Sequence, residues 1–263
     1  MTKNLTPPLQ RVHHLLQYTG LTAAIIVIWQ ALFHLGYLNP VLLPPPSQIA
    51  LAFRDLLQSG DLPRHIGISM LRVLEGFGIA ALLGLGLGVA IGLSRTLDRW
   101  TDLIIQVVKP IPPIAWIPLA ILWFGIGEQS KVYIIFLGAF FPIIINTIDG
   151  IRQTDHKFVE VARLLDVPRL KFVRQVVLPG ALPAIMTGLR VGLMVAWMCV
   201  VAAELIAASS GIGYLIMDAR QLSQSDVVFV GMITIGVIGK LMDSLIKRVE
   251  KRLISWKVAF AGN

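Results

Sequence analysis

Charge is the first thing this chain has little of. Only 14% of its 263 residues are charged and 56% are hydrophobic, against about 25% charged in a soluble domain, and the mean hydropathy is +0.75. That balance excludes an ordinary soluble enzyme and predicts an all-α polytopic membrane protein of about six spans. Cysteine is nearly absent: Cys199 is the one thiol, so neither an intramolecular disulfide nor a cysteine metal cluster can form. The five histidines, at 13, 14, 34, 65 and 156, are scattered, and no H-E-x-x-H pair offers a metal site. There is no G-x-S-x-G elbow, and Ser209-Ser210-Gly211 has no histidine near it in sequence. GVIGKL at 236–241 holds a Gly-Lys pair, but it lacks the glycine five before Gly239 and has Leu241 where Ser or Thr is needed, so it cannot be a phosphate loop. The expectation is no catalytic constellation and no cofactor in this chain. Any ATP-driven work has to enter through another subunit.

What the chain does have is a series of long apolar runs. A hydrocarbon core of about 30 Å takes roughly 20 helical residues, and the segments 19–38, 70–93, 103–124, 131–148, 182–207 and 226–246 qualify. The net charge of +8 would fit a nucleic-acid partner, but the positions of the charges exclude it, because they gather beside the apolar runs. With both termini on one side, fifteen of the 23 basic residues fall in the tail, the 94–102 loop, the 149–181 loop and the C-terminus. The opposite side keeps only Arg54, Arg64, Lys131 and Arg220. The positive-inside rule therefore predicts cytoplasmic termini and a cytoplasmic 149–181 loop. The first apolar run is too long for a cleavable signal, and no small-residue cleavage site follows Leu38.

Pro44, Pro45 and Pro46 exclude a helix at their position, and Ser47 is placed to cap one that follows. Ile49, Phe53, Leu56 and Leu57 then recur at helical spacing, predicting a short amphipathic helix in the interface, readable as a connector that shields apolar surface. Gly76, Ala80, Gly84, Gly88 and Gly92 are four residues apart, on one face of the second span, where another backbone can approach closely. Whether that partner lies in this chain or a second copy is open. In the third segment Pro110, Pro112, Pro113 and Pro118 oppose a straight helix. Broken backbone at membrane depth lines a polar cavity or is buried in protein; the alternative is that these prolines lie in the interface, ahead of a helix starting near Ile114.

Glu75, Arg190, Glu204, Lys240 and Asp243 lie within or at the ends of apolar runs. Each costs about 3 kcal/mol at the centre of a lipid-facing helix, so all should face protein or water. Lys240 and Asp243 are three apart, the spacing of a local pair. Arg190 is too deep to snorkel easily, and serves either as an anion contact or in a packing ion pair.

The stretch EVARLLDVPRLKFVRQVVLPGALP (160–183) breaks the apolar pattern with a hydrophilic one of helical rhythm. A first helix over 155–165 sets Val159, Ala162 and Leu165 on one side. Asp166 interrupts it and can cap a second helix, with Pro168 in the first turn and Leu170, Val173 and Val177 on one face. Pro179 and Pro183 close that helix before the fifth span. Apolar ridges with basic edges fit either a docking site for a protein partner or a loop folded onto its own membrane surface.

Glu160-Val161-Ala162, Asp166 six positions on, then Val176, Leu178 and Pro179 resemble the EAA loop of permease subunits of bacterial binding-protein-dependent ABC importers. Val161 replaces the motif's middle alanine, and Asp166 stands where the family usually has glycine. The likeness runs from about Trp29 to Trp256. LPPPSQI, KPIPPIAWIPLAILWFGIGEQSK, LPGALPAIMTGLR and AAELIAASSGIGYLI look like the permeases of aliphatic sulfonate, taurine and nitrate importers, with WFGIGE and AAELIAA closer to the sulfonate and taurine members. The resemblance implies a type I importer permease fold in the bacterial cytoplasmic membrane, forming one transmembrane domain over the whole chain. Its implied partners are a second copy, two ATPase subunits that bind ATP and Mg, and an extracytoplasmic substrate-binding protein. It assigns ATPase coupling to Glu160, Ala162, Asp166, Val176, Leu178 and Pro179. Arg190, Met194, Trp197 and Glu204, sharing roughly one face of the fifth span, are the candidates for the path of a small anion. The rival expectations are a nitrate- or bicarbonate-like or heterocyclic cargo, and a self-sufficient channel or secondary transporter.

Overall fold

The computed structural model describes residues 8–154 and 156–254. Lys3, Lys257, Asp155 and Trp256 lie outside the described residues, as do the side chains of Arg11, His13, His14, His156, Lys157, Val159 and Arg163. Every regular element among the described residues is helical. The helices are α1 (Pro8–His34), α2 (Pro46–Gln58), α3 (Asp61–Leu93), α4 (Arg95–Val108), α5 (Ile117–Phe124), α6 (Glu128–Arg152), α7 (His156–Leu164), α8 (Arg169–Phe172), α9 (Leu178–Ala207), α10 (Ile212–Gln221) and α11 (Ser225–Leu253). Four helical stretches are long and apolar enough to cross a membrane, and a fifth arises if α4 and the 3-10/α5 pair are counted together.

One of the six expected spans, the third, differs from a plain transmembrane helix. The first lies in α1, whose apolar stretch among the described residues is Gly20–His34. It ends at Gly36, whose φ of 78° lets Tyr37 N bond Leu32 O (3.1 Å) and Gly36 N bond Phe33 O (3.0 Å), a glycine-terminated cap. The third, 103–124, is no straight helix. α4 stops at Val108, a 3-10 turn forms over Pro113–Trp116, and the two helical arms meet at 88°. Pro110, Pro112 and Pro113 supply no amide hydrogens there, so the ladder cannot pass through.

The chain forms two units. The first takes residues 1–62 and 215–233. Within it Trp29 packs on Phe229 with ring centroids 5.6 Å apart. Ser47 is not the cap of α2: the helix begins at Pro46, with Pro45 at the N-cap and no side-chain cap bond. Gln30 serves that end instead, accepting from Ser47 N (3.2 Å) and donating to Ser47 Oγ (3.3 Å). On the amphipathic face Ile49 is buried and Leu56 half-buried, while Phe53 and Leu57 are exposed.

The second unit, 63–214 and 234–263, is built around α6. The small-residue stripe of α3 meets this helix, so its partner lies within the chain. A Cβ on Gly76 would come within 2.6 Å of Ile135 Cγ2, and one on Gly88 within 2.7 Å of Thr147 Cβ, closer than two carbons can pack. On its other side α6 meets α9, where a Cβ on Gly192 would lie 3.0 Å from Ala139 O. Ile91, Ile144 and Ile148 form one buried cluster, and Ile151, Val177, Ala181 and Ile185 another. Small residues thus do in lipid what apolar collapse does in water: they maximise dispersion contact between backbones.

Candidate functional site

The 149–181 loop is ordered by two local devices. α7 ends with Asp166 in the left-handed region (φ 48°). Val167 N bonds Ala162 O (2.9 Å) across it, the six-to-one bond of a Schellman cap. Asp166 therefore occupies the position of a helix-ending glycine and is not the cap of the second helix, whose N-cap is Pro168. The second device lies downstream. Pro179 and Pro183 do not close the second helix, as expected from sequence; α8 passes through a π turn at Val173–Val177 into α9, giving one helical stretch over Arg169–Ala207, 39 residues long. A π turn shifts the ladder by one residue, and Pro179 falls in the first turn of α9, where a missing amide hydrogen costs little.

Val177 is buried in the cluster with Ile151, Ala181 and Ile185, and Phe172 and Val173 pack against it. That fixes the root of the loop to α6. Its outer part is the reverse: Phe158, Val161, Leu164, Leu165 and Leu170 are all exposed, Leu164 to 84%. Glu160 and Asp166 are exposed, and Ala162, Val176, Leu178 and Pro179 half-buried. These apolar side chains have no cover within the chain among the described residues.

The four candidates on α9 all make contacts within the chain. Arg190 Nε lies 2.5 Å from Asp243 Oδ1, and Lys247 Nζ 2.8 Å from Asp243 Oδ2. Asp243 thus pairs with Arg190 across helices and with Lys247 one turn on, rather than with Lys240. Trp197 is buried and donates Nε1 to Ile235 O (3.1 Å). Met194 and Trp197 both lie beside Gly239. Glu204, at 1% exposure, is enclosed by polar groups.

Those groups form a network that the sequence did not reveal. Ser69 Oγ donates to both Glu204 oxygens (2.8 and 2.9 Å), and Arg72 Nη1 donates to Oε1 (2.8 Å). Arg72 also holds Glu128 bidentately (2.5 and 2.7 Å) and Ser210 through its carbonyl and hydroxyl oxygens (2.7 and 3.1 Å). Lys131 adds a bond to Glu128 (2.9 Å). The 208–213 loop closes over the carboxylate, with Gly213 N donating to Glu204 Oε2 and Ile212 N to Ser69 Oγ, each at 2.9 Å. A side chain on Gly211 (φ 111°) would collide with the Glu204 carboxylate. Two cations and two carboxylates pair, Glu128 from the exposed edge of the cluster, and together they tie α3, α6 and α9. Arg72 and Glu204 are opposite charges within separate apolar helices, which is the signal that could have paired them.

Residues 80–255 match the family described as "Binding-protein-dependent transport system inner membrane component". The chain is 45% identical to the putative aliphatic sulfonates transport permease SsuC of Bacillus subtilis, over 92% of this chain and 88% of that one. It is 43% identical to SsuC of Escherichia coli, over 91% of each, and 36% identical to the taurine transport permease TauC of the same organism, over 90% of this chain and 88% of that one. Its fold is similar to that of a chain in an inward-facing structure of the MetNI methionine ABC transporter, with a TM-score of 0.58 at 19% identity over 71% of this chain and 91% of that one.

Proposed function

The chain belongs to the family of binding-protein-dependent transport system inner membrane components, and from that premise we propose that it forms, with a second copy of itself, the path by which a small organic anion enters the cytoplasm. Aliphatic sulfonates are the first cargo class and taurine the second, following the relatives named SsuC and TauC at 36–45% identity. The chain is a permease subunit and not an ATPase. ATP is hydrolysed on a separate subunit that docks on the 149–181 loop, and an extracytoplasmic binding protein delivers the cargo. Six crossings with both termini cytoplasmic complete the reading, with α1 and the bent α4/α5 pair each counted as a span.

One observation carries the coupling role: the unbroken helical stretch from Arg169 to Ala207. A displacement applied to α8 reaches α9 through a continuous hydrogen-bonded rod, whereas a flexible tether would absorb it. The exposed apolar ridge of α7 and the adjacent Glu160 supply the surface for the ATPase, with Ala162, Asp166, Val176, Leu178 and Pro179 setting its geometry. In this reading Trp197, Glu204 and Arg190 hold α9 to its neighbours, and Met194 is the one of the four left to border the path.

The test is Glu160→Arg in proteoliposomes carrying the permease, its ATPase and the binding protein. Uptake of alkanesulfonate and stimulation of ATP hydrolysis by loaded binding protein are both expected to fall about tenfold or more, the scale of losing one charge-assisted contact and gaining a like-charge clash. Normal stimulation and uptake would remove the loop from the coupling interface.

A further inference from the structure

Behind the proline bend lies a cavity of about 550 Å³, separate from the ion pairs described above. Ile111, Leu137, Phe141, Val191 and Val195 make apolar walls, and two polar side chains, Lys109 and Asn146, border it. Lys109 and Ile145 also line a second, polar cavity of about 350 Å³ that holds Asp98, Asp102, Asp149 and Arg152. The two spaces therefore share the wall that Lys109 forms. Along α6 the first cavity extends from Leu137 to Asn146, about 13 Å of helix.

Several cations of the second unit are tied up in ion pairs. Arg190 is held by Asp243, Arg72 by Glu128 and Glu204, Lys131 by Glu128, and Arg152 by Asp98. Lys109 is an exposed ammonium with no ion-pair partner among the described residues. Asn146 uses one amide hydrogen on Pro142 O (2.8 Å), which leaves its second for another acceptor. An apolar pocket with a free cation and a free amide donor on its border has the polarity of an amphiphilic anion.

We propose that this cavity is an intramembrane site for an amphiphilic organic anion, its alkyl part against Leu137, Phe141, Val191 and Val195 and its anionic oxygens on the Lys109 ammonium and the Asn146 amide. The inference rests on the transport reading above and moves the anion contact from Arg190 to Lys109. The geometry also limits how tightly cargo is held. Beyond Lys109 stand Asp98, paired to Arg152, Asp102, which accepts from Gln106 (2.7 Å), and Asp149. Their charge opposes the ammonium's field, giving a shallow well from which an anion can leave, as conduction requires. A small inorganic anion has no alkyl part to place against the apolar walls, so the site discriminates by chain as well as by charge.

The ammonium sits at the C-cap of α4, where a cation also complements the helix dipole, so the test has to separate binding from folding. In proteoliposomes holding the full complex, uptake of butanesulfonate and methanesulfonate is compared for wild type, Lys109→Gln, Lys109→Arg and Val195→Phe. Lys109→Gln is expected to lower uptake of both sulfonates about tenfold, with the ATPase still co-purifying, and Lys109→Arg to restore most of it. Val195→Phe, which fills the apolar part, is expected to cut butanesulfonate uptake several-fold more than methanesulfonate. Wild-type uptake in Lys109→Gln, no rescue by Lys109→Arg, or equal loss of both sulfonates in Val195→Phe would each overturn the site while leaving the transport reading standing. A wild-type complex that takes up neither sulfonate would overturn the cargo reading and the site with it.

Discussion

Arg72 and Glu204 show what a buried charge has to have around it in this protein. Both are nearly inaccessible, at 3% and 1% exposure, and the five hydrogen bonds of Arg72 match the five donors of a guanidinium. Such a cluster adds little over a well-packed apolar replacement, but breaking it by removing one partner is costly. Arg72→Met strands the Glu204 carboxylate and is expected to lose about 3–5 kcal/mol. Arg72→Met with Glu204→Gln removes the stranded charge while keeping an acceptor for Ser69, and should recover a clear part of that loss. Thermal stability of the purified protein in detergent measures both, and equal losses would show that the pair is not what the cluster protects. Arg190 and Asp243 carry the same logic with less burial, since Arg190 is only half-buried.

At the scale of elements, the joint between α7 and α8 depends on one unfavourable conformation. An L-residue in the left-handed region costs roughly 1–2 kcal/mol, least for Asn and Asp, and nothing for glycine. Asp166→Gly should therefore keep the turn and preserve uptake, with slower hydrogen exchange at Val167 N. Asp166→Val should open it and lower the cargo moved per ATP hydrolysed. Impaired uptake in Asp166→Gly with slowed exchange would instead give the carboxylate a contact of its own with the ATPase. This joint was half legible in the sequence: the interruption at Asp166 could be read, but its left-handed form needed the structure. The long apolar helices and the small-residue stripe of α3 followed from composition and spacing. The stripe's partner did not, because spacing gives a face and not what covers it. Pro110, Pro112 and Pro113 broke the chain as expected, yet Pro179, in the first turn of α9, and Pro183, inside that helix, did not. Asp243 was given to Lys240 by local spacing. Its partners are Lys247 and Arg190, and the second of these depends on how α11 is rotated against α9, which no local pattern encodes.

For the whole molecule, sidedness is the property on which every functional statement above depends. If the basic residues of the 149–181 loop face the cytoplasm, then α9, 30 residues long and so about 45 Å, carries the chain to the opposite surface by Ser209. The 149–181 loop and the Arg72–Glu204 cluster then lie at opposite faces of the second unit. Leu164 and Ser209 are both exposed, and the native thiol Cys199 is buried, so single cysteines report cleanly in a Cys199→Ser background. A membrane-impermeant maleimide is expected to label Leu164→Cys only in inside-out vesicles and Ser209→Cys only in right-side-out ones. Labelling of both from one side would invalidate the crossing by α9 and, with it, the transmission of motion from α8 across the membrane.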